Sequence, residues 1–274
     1  MKFIGVDLGW ISGASGLCCL RWENNQLHLE ESDRLDALAD ILTWINKKAP
    51  APEPAIIAVD APTIINNSTG MRLCDRLTHK YFGRYHAGCY PANLKSKFAA
   101  RTVGFSKSLE ALGFEHAPEL EPRKYERYQI EVFPHPAIIN LFGLAQILKY
   151  KKGTLTERRS GLGKLQKYII SILPKLEPKL ELLKTKRMPN SPKDLFGELS
   201  VLSSKNLKAV EDRLDALICA YIAAHWWYWG LERNWVIGDR AGGYIIIPKT
   251  GIRDIKIVPT KPKLVHRDYS DRGD

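Results

Sequence analysis

No apolar run in this chain reaches the ~18 residues that a bilayer-spanning helix needs, so no membrane attachment is expected. No C-x-x-C pair occurs. The five cysteines (Cys18, Cys19, Cys74, Cys89, Cys219) are scattered, three of them in apolar surroundings. That spacing excludes a zinc site or a disulfide framework and suits a reduced cytoplasm. The opening "MKFIGVDLGW" carries an aspartate inside its first apolar run and no small-residue cleavage site, so no secretory signal is read. Internal repeats and low-complexity tracts are also missing. The 274 residues suffice for one large α/β domain or two small ones.

Positive charge is plentiful, and it is concentrated. The net charge is +11. Residues 149–193 hold thirteen Lys or Arg against three acids, a net +10, which leaves the rest of the chain near neutral. One basic segment on a near-neutral body is either an electrostatic footprint for a polyanion, nucleic acid first, or a solvated insertion.

Residues 2–9, "KFIGVDLG", read as a buried strand ending in Asp-x-Gly. Residues 15–32 read as a hairpin turning at Glu23-Asn24-Asn25. An amphipathic helix is expected over 32–49, with Ser32 as N-cap and Leu35, Leu38, Ile41, Leu42 and Ile45 as its stripe. "PEPAIIAVDAP" (52–62) is a continuously apolar strand, hence central, stopped by Pro62. The order β-β-β-α-β predicts three antiparallel strands, a crossover helix and a parallel strand in a mixed sheet with covered faces. Further on come a mixed segment (71–85), a strand ending at Phe133, a helix from about Pro136, and an amphipathic helix in the basic segment. A long helix is expected from Leu207 to Glu232, then a small hairpin (235–248) and a charged tail from Lys249.

Carboxylates stand at the ends of, or inside, four apolar elements: Asp7, Asp60, Glu131 and the Asp212/Asp215 pair. At 100° per residue, Asp212, Asp215, Ala216, Cys219, Ile222 and Ala223 share one face of the late helix. Small residues on that face allow close approach to a sheet. Asp215 would then meet the strand-end acids, or else pair with an arginine. Asp212 is either another member of the cluster or a first-turn acid favoured by the helix dipole. Like charges ~4 Å apart repel by about 4 kcal/mol at an effective dielectric of about 20, and burial adds a desolvation cost. Protons or a cation must compensate. All-oxygen ligands suit Mg²⁺ or Mn²⁺, and two such ions can clamp the attacking and leaving oxygens of a phosphodiester.

A strand-end Asp7, an acid after the fourth strand and a late D-x-x-D helix resemble the ribonuclease H-like nucleases. "EDRLDALICAYIA" looks most like the RuvC-type resolvase arrangement. Residues 1 to about 235 are also similar to the domain of unknown function 429 family, described as predicted RNase H-like nucleases. That similarity rests on "GVDLGW", "VDAP", "RLCD", "IEVFPHPA", "YKKG" and "EDRLDALICAY". The resemblance implies an α/β RNase H-like mixed sheet flanked by helices, spanning 1–248 with a basic helical insertion at about 149–205. It implies a metal site at Asp7, Asp60 and Asp215, with Asp212 or Glu131 as a fourth ligand. Asp60 stands where the resolvases usually have Glu. Glu131, Arg72 and Asp75, with no clear counterpart there, could line a family-specific pocket, for instance for a small anionic ligand. His135 would be an acid–base group or a helix cap.

The leading expectation is a cytoplasmic Mg²⁺- or Mn²⁺-dependent nuclease. Asp7, Asp60, Asp215, Asp212 and Glu131 would be its acidic residues, and Lys151, Lys152, Arg158 and Arg159 would track phosphates. The alternatives are an inactive nucleic-acid or ligand-binding relative and, further off, actin-like or sugar-kinase ATP phosphotransfer. The latter would need a second phosphate loop, for which "GDRAGG" (238–243) is the only late Gly-rich stretch. Trp226, Trp227, Trp229 and Trp235 are expected to divide between core packing and a homodimer surface.

Overall fold

The computed structural model describes residues 1–182 and 195–249. Lys184, Lys186, Arg187 and Lys193 of the basic segment, and the tail from 250, lie outside the described residues.

The expected β-β-β-α-β order is present. Strands β1 (Lys2–Asp7), β2 (Ser15–Glu23) and β3 (Gln26–Leu35) precede helix α1 (Leu38–Lys48) and strand β4 (Ala55–Val59). Next come α2 (Leu73–Phe82), α3 (Ala99–Ala111), β5 (Glu115–His116), β6 (Arg127–Glu131) and α4 (Pro134–Phe142). Helix α5 (Leu155–Ile172), β7 (Leu180–Glu181), α6 (Ser204–Trp229), β8 (Asn234–Asp239) and β9 (Gly243–Pro248) complete the described chain. The main sheet has the order β5-β6-β4-β1-β2-β3-β7. β1, β2 and β3 are antiparallel neighbours, whereas β4 and β6 run parallel to β1. This is the RNase H-like mixed sheet, and helices cover both of its faces.

Period-two alternation divides the core. Phe3, Cys18, Leu20, Ile56 and Ala58 pack on the α6 side. Ile4, Val6, Leu17, Ile57 and Val59 pack with Ile41 and Ile45 of α1 and with Phe105 and Leu109 of α3. Both faces are buried, so the strands read as unbroken apolar runs.

α6 lies on the sheet almost backbone to backbone. A Cβ on Gly5 would stand 1.9 Å from the Ala216 carbonyl oxygen, and one on Gly16 would stand 1.9 Å from that of Asp212. Glycine at these two strand positions is what admits the helix. Its small face (Ala216, Cys219, Ala223) does the same from the other side.

The structure corrects several expectations. Ser32 caps no helix: β3 continues to Leu35, and the Ser32 hydroxyl donates to the Leu17 carbonyl at 3.2 Å. Pairing with β2 overrides the helical stripe there. Helix α3 carries no clear signal in the sequence: it has little amphipathic contrast, with Lys, Arg and Ser on turns adjoining its buried Phe105 and Leu109. Trp226 and Trp227 are interior, their indole N–H groups donating to the Ala117 and Lys124 carbonyls at 3.1 and 2.9 Å. These two take the core-packing share expected of the four tryptophans, while Trp229 and Trp235 are half-buried. No helix among the described residues is long and apolar enough to cross a membrane.

Candidate active site

Parallel strands bring their C-terminal ends to one edge, where ligands of open α/β sheets gather. In the register Val6 pairs with Val59, and Val59 with Glu131. One residue beyond, Asp7 and Asp60 are level on adjacent strands, and the Asp60 N–H donates to the Val6 carbonyl at 2.9 Å. Asp7 is two residues from Gly5 and Asp60 two from Ala58, so both carboxylates are on the α6 side. Asp215, wholly buried on α6, is near enough to add its charge to both.

The unforeseen member of this group is Lys151. Its ammonium is 2.6 Å from Asp215 Oδ2, off the line of a hydrogen bond, while 29 % of its side chain faces outward. The buried Tyr150 hydroxyl donates to Asp215 Oδ1 at 2.8 Å. Burial opposes the ammonium charge, but Asp215, then Asp7, hold its pKa well above the ordinary lysine value. Burial pushes the Asp7 carboxyl well up. Lys151 opposes that rise, and Asp215 and Asp60 add to it. Asp60 is raised to about 7 by burial, against Lys151, with Asp215 and Glu131 contributing. These four side chains thus form one electrostatic unit.

Three of them, Asp7, Asp60 and Lys151, border a cavity of about 670 Å³, which His135, Trp10 and Tyr90 also help to line. His135 caps nothing, since α4 has no side-chain cap bond. Burial, then Lys151, lowers its pKa to about 4, so the ring is neutral at pH 7.

Glu131, Arg72 and Asp75 also reach the cavity wall, but they are spent on one another. Arg72 Nη1 and Nη2 donate to Glu131 Oε2 and Oε1 at 2.8 and 2.6 Å, and Arg72 Nη2 to Asp75 Oδ1 at 2.7 Å. Glu131 Oε2 also accepts from the Thr63 N–H at 2.9 Å, and Asp75 Oδ2 from the Ala92 N–H at 3.1 Å. The expected ligand role of Glu131 does not suit this arrangement. Its register partner Val59 faces α1 and α3, opposite to Asp60. Arg72 and Asp75, expected to bind substrate, likewise have their polar atoms engaged inside the chain.

Asp212 departs from expectation too. α6 begins at Ser204, so Asp212 is beyond the first turn and no helix-dipole residue. Arg34 Nε at 2.9 Å and Lys208 Nζ at 2.6 Å hold it instead. Arg158 pairs with Glu211 at 3.3 Å, and Arg159 donates to the Leu202 carbonyl at 2.6 Å. Both arginines tie α5 to α6 and its approach rather than presenting free cations. Lys152 is exposed at the cavity rim, its ammonium 3.2 Å from the Tyr90 hydroxyl.

Fitness for a divalent cation can be judged on the oxygen donors. Among the described residues, no group of three His, Cys, Asp or Glu side chains is gathered around one point. Asp7 and Asp60, however, face the cavity without a side-chain hydrogen-bond or ion-pair partner among those residues. Magnesium is commonly held by one or two carboxylates, with substrate phosphate and water completing its shell. The Asp7/Asp60 pair fits that pattern; a four-carboxylate cage does not.

A family model described as "Protein of unknown function (DUF429)" matches residues 5–234. No curated protein matches the chain.

Proposed function

This chain belongs to the DUF429 family of proteins of unknown function, and from that premise we propose that it hydrolyses phosphodiesters of nucleic acid with a divalent cation at Asp7 and Asp60. One observation carries the reading. Two partnerless carboxylates end adjacent parallel strands beside a cavity, with the Asp215–Lys151 pair against them.

Asp7 and Asp60 would hold Mg²⁺ or Mn²⁺, which when bound supplies Lewis-acid polarisation of a phosphoryl oxygen and acidifies a water. The chain's own groups do the rest. Lys151, held charged by Asp215, offers its exposed side to the negative charge that grows on the phosphoryl oxygens. Tyr150 and the packed α6 backbone fix Asp215, so that ion pair is preorganised. Neutral His135 can accept a hydrogen bond from the attacking water but carries no charge of its own at pH 7. Water forms the new P–O bond, the ester P–O bond breaks, and the products are a phosphomonoester and an alcohol.

A second reading has its own support. Lys151 already supplies one positive charge within the cluster, as a binding protein without catalysis would require. Phosphotransfer from ATP gains no such support. The "GDRAGG" stretch is the turn of the β8–β9 hairpin, and the Gly242 N–H donates to its own Asp239 at 2.7 Å.

The test is a cleavage panel in Mg²⁺ and Mn²⁺ over single-stranded, duplex, hybrid and branched substrates plus a small aryl phosphodiester. Wild type is run beside Asp7→Asn and Asp60→Asn. Metal-dependent cleavage lost in both variants is expected. Activity that survives both, or none on any substrate, ends the hydrolase proposal.

A further inference from the structure

The cavity has a size and a lining that the hydrolase reading alone does not explain. About 670 Å³ is the volume of a small-molecule pocket, within the range of about 300–1,000 Å³. Two chain segments line it together with the strand ends: 86–90, after α2, and 147–153, after α4. These segments are tied to each other. The Ile147 N–H donates to the Tyr85 carbonyl at 3.1 Å, and the Lys152 ammonium reaches the Tyr90 hydroxyl at 3.2 Å. The same ammonium is 5.8 Å from the Tyr90 ring centroid. The ties make a strap. That strap stands on the cavity wall beside Asp7, Asp60 and Lys151.

The lining supplies what one nucleotide needs. Lys149 and Lys152 are exposed beside the mouth and can meet a phosphate. Trp10 and Phe133 line the interior and offer ring faces or edges to a base. Trp10 is fixed beside the second carboxylate: its Nε1–H donates to the Asp60 carbonyl at 3.0 Å, and its ring packs edge-on against Phe98 at 4.7 Å. Tyr90 is 67 % exposed, an aromatic at the rim.

Resting on the hydrolase reading of this site, we infer that the cavity takes a single nucleotide unit end-on, free or at the end of a single strand, and excludes a strand running through it. Duplex and internal positions of a chain are then not substrates. The products are mononucleotides released from an end.

The decisive comparison uses one single-stranded oligonucleotide, internally labelled, offered linear and ligated into a circle. The circle has no ends, yet its charge is nearly that of the linear form, so screened electrostatics affect the two almost alike. Binding to the wild-type protein is read by fluorescence anisotropy in Ca²⁺, with unlabelled nucleoside monophosphate as competitor. The linear form should bind at least tenfold more tightly than the circle, and the monophosphate should displace it. A competitor tighter than the strand identifies the free nucleotide as the natural occupant; a weaker one identifies the strand end. Equal affinities for circle and linear form, no binding of either, or no displacement overturns the inference. In Mg²⁺ the linear form should yield mononucleotides while the circle stays intact. End-dependent binding without hydrolysis of anything removes the hydrolase reading and leaves this inference standing. Internal cutting of the circle removes this inference and leaves that reading.

Discussion

Two charged clusters meet the same cavity. In the Arg72–Asp75–Glu131 cluster one buried guanidinium answers two carboxylates, and backbone N–H groups take remaining oxygens. In the Asp7–Asp60–Asp215–Lys151 cluster one ammonium answers three carboxylates, and two of these have no partner among the described residues. The difference separates two uses of the same residue types. A satisfied buried network holds its surroundings in one arrangement. An unsatisfied one stores repulsion that a ligand can relieve, and sites of chemistry keep such groups.

The largest expected effect breaks the first cluster. Arg72→Met leaves Glu131 and Asp75 buried without a cation and should cost about 3–5 kcal/mol, read as a drop in the urea midpoint. In the second cluster Asp7→Asn should do the reverse. Hydrolysis should fall by about 10²–10³-fold, while stability holds or rises, because burial and the neighbouring acids that push the Asp7 carboxyl up weigh less on a neutral amide. Melting and turnover measured on one preparation separate the two. Next in size is Gly5→Ala, whose methyl meets the α6 backbone rather than a side chain that could turn aside. A loss of about 1–3 kcal/mol is expected, with Asp215 displaced from the strand ends and activity falling with it.

Acid acts on the framework as well as on the site, where Asp60 is raised to about 7 and His135 lowered to about 4. His225, buried against Asn234 at 2.8 Å, has its pKa lowered to about 4, chiefly by burial. A depressed folded pKa means that stability is present above the unfolded value of 6.5 and is lost as pH falls through about 4. The expected loss is on the order of 1–3 kcal/mol, and His225→Gln should flatten that part of the stability–pH curve. The smallest effect concerns the rim: Lys152→Ala should reduce the salt slope of single-strand binding by about 0.7.

Much of this was legible from the chain, and the part that was not has a common cause. The strand order follows from local patterns: Asp-x-Gly after one apolar run, Asp-Ala-Pro after another, and small residues on one face of α6. The nearness of Asp7, Asp60 and Asp215 is legible because each is tied to the end or face of its own element. Their partners are not. Lys151 stands between Lys149 and Lys152 as one basic residue among several, and nothing local says that it turns inward to Asp215, 64 residues away. Arg34 likewise meets Asp212 only through the pairing of β2 and β3. Glu131 was open to correction from parity alone: it is level with Val59, one residue before Asp60, and so faces the opposite side. The helix over 32–49 failed at Ser32 because a strand already had a place for it.

The central claim is that one cluster reacts and the other supports. It is tested most directly by hydrolysis per folded molecule in Asp7→Asn and Glu131→Gln, each assayed in Mg²⁺ below its own melting transition. The account predicts an Asp7→Asn protein that melts no lower than wild type and retains roughly one hundredth of the rate or less. It predicts a Glu131→Gln protein that melts lower yet, where folded, works within several-fold of wild type. A folded Asp7→Asn protein with wild-type turnover, or a folded but inert Glu131→Gln protein, would contradict it.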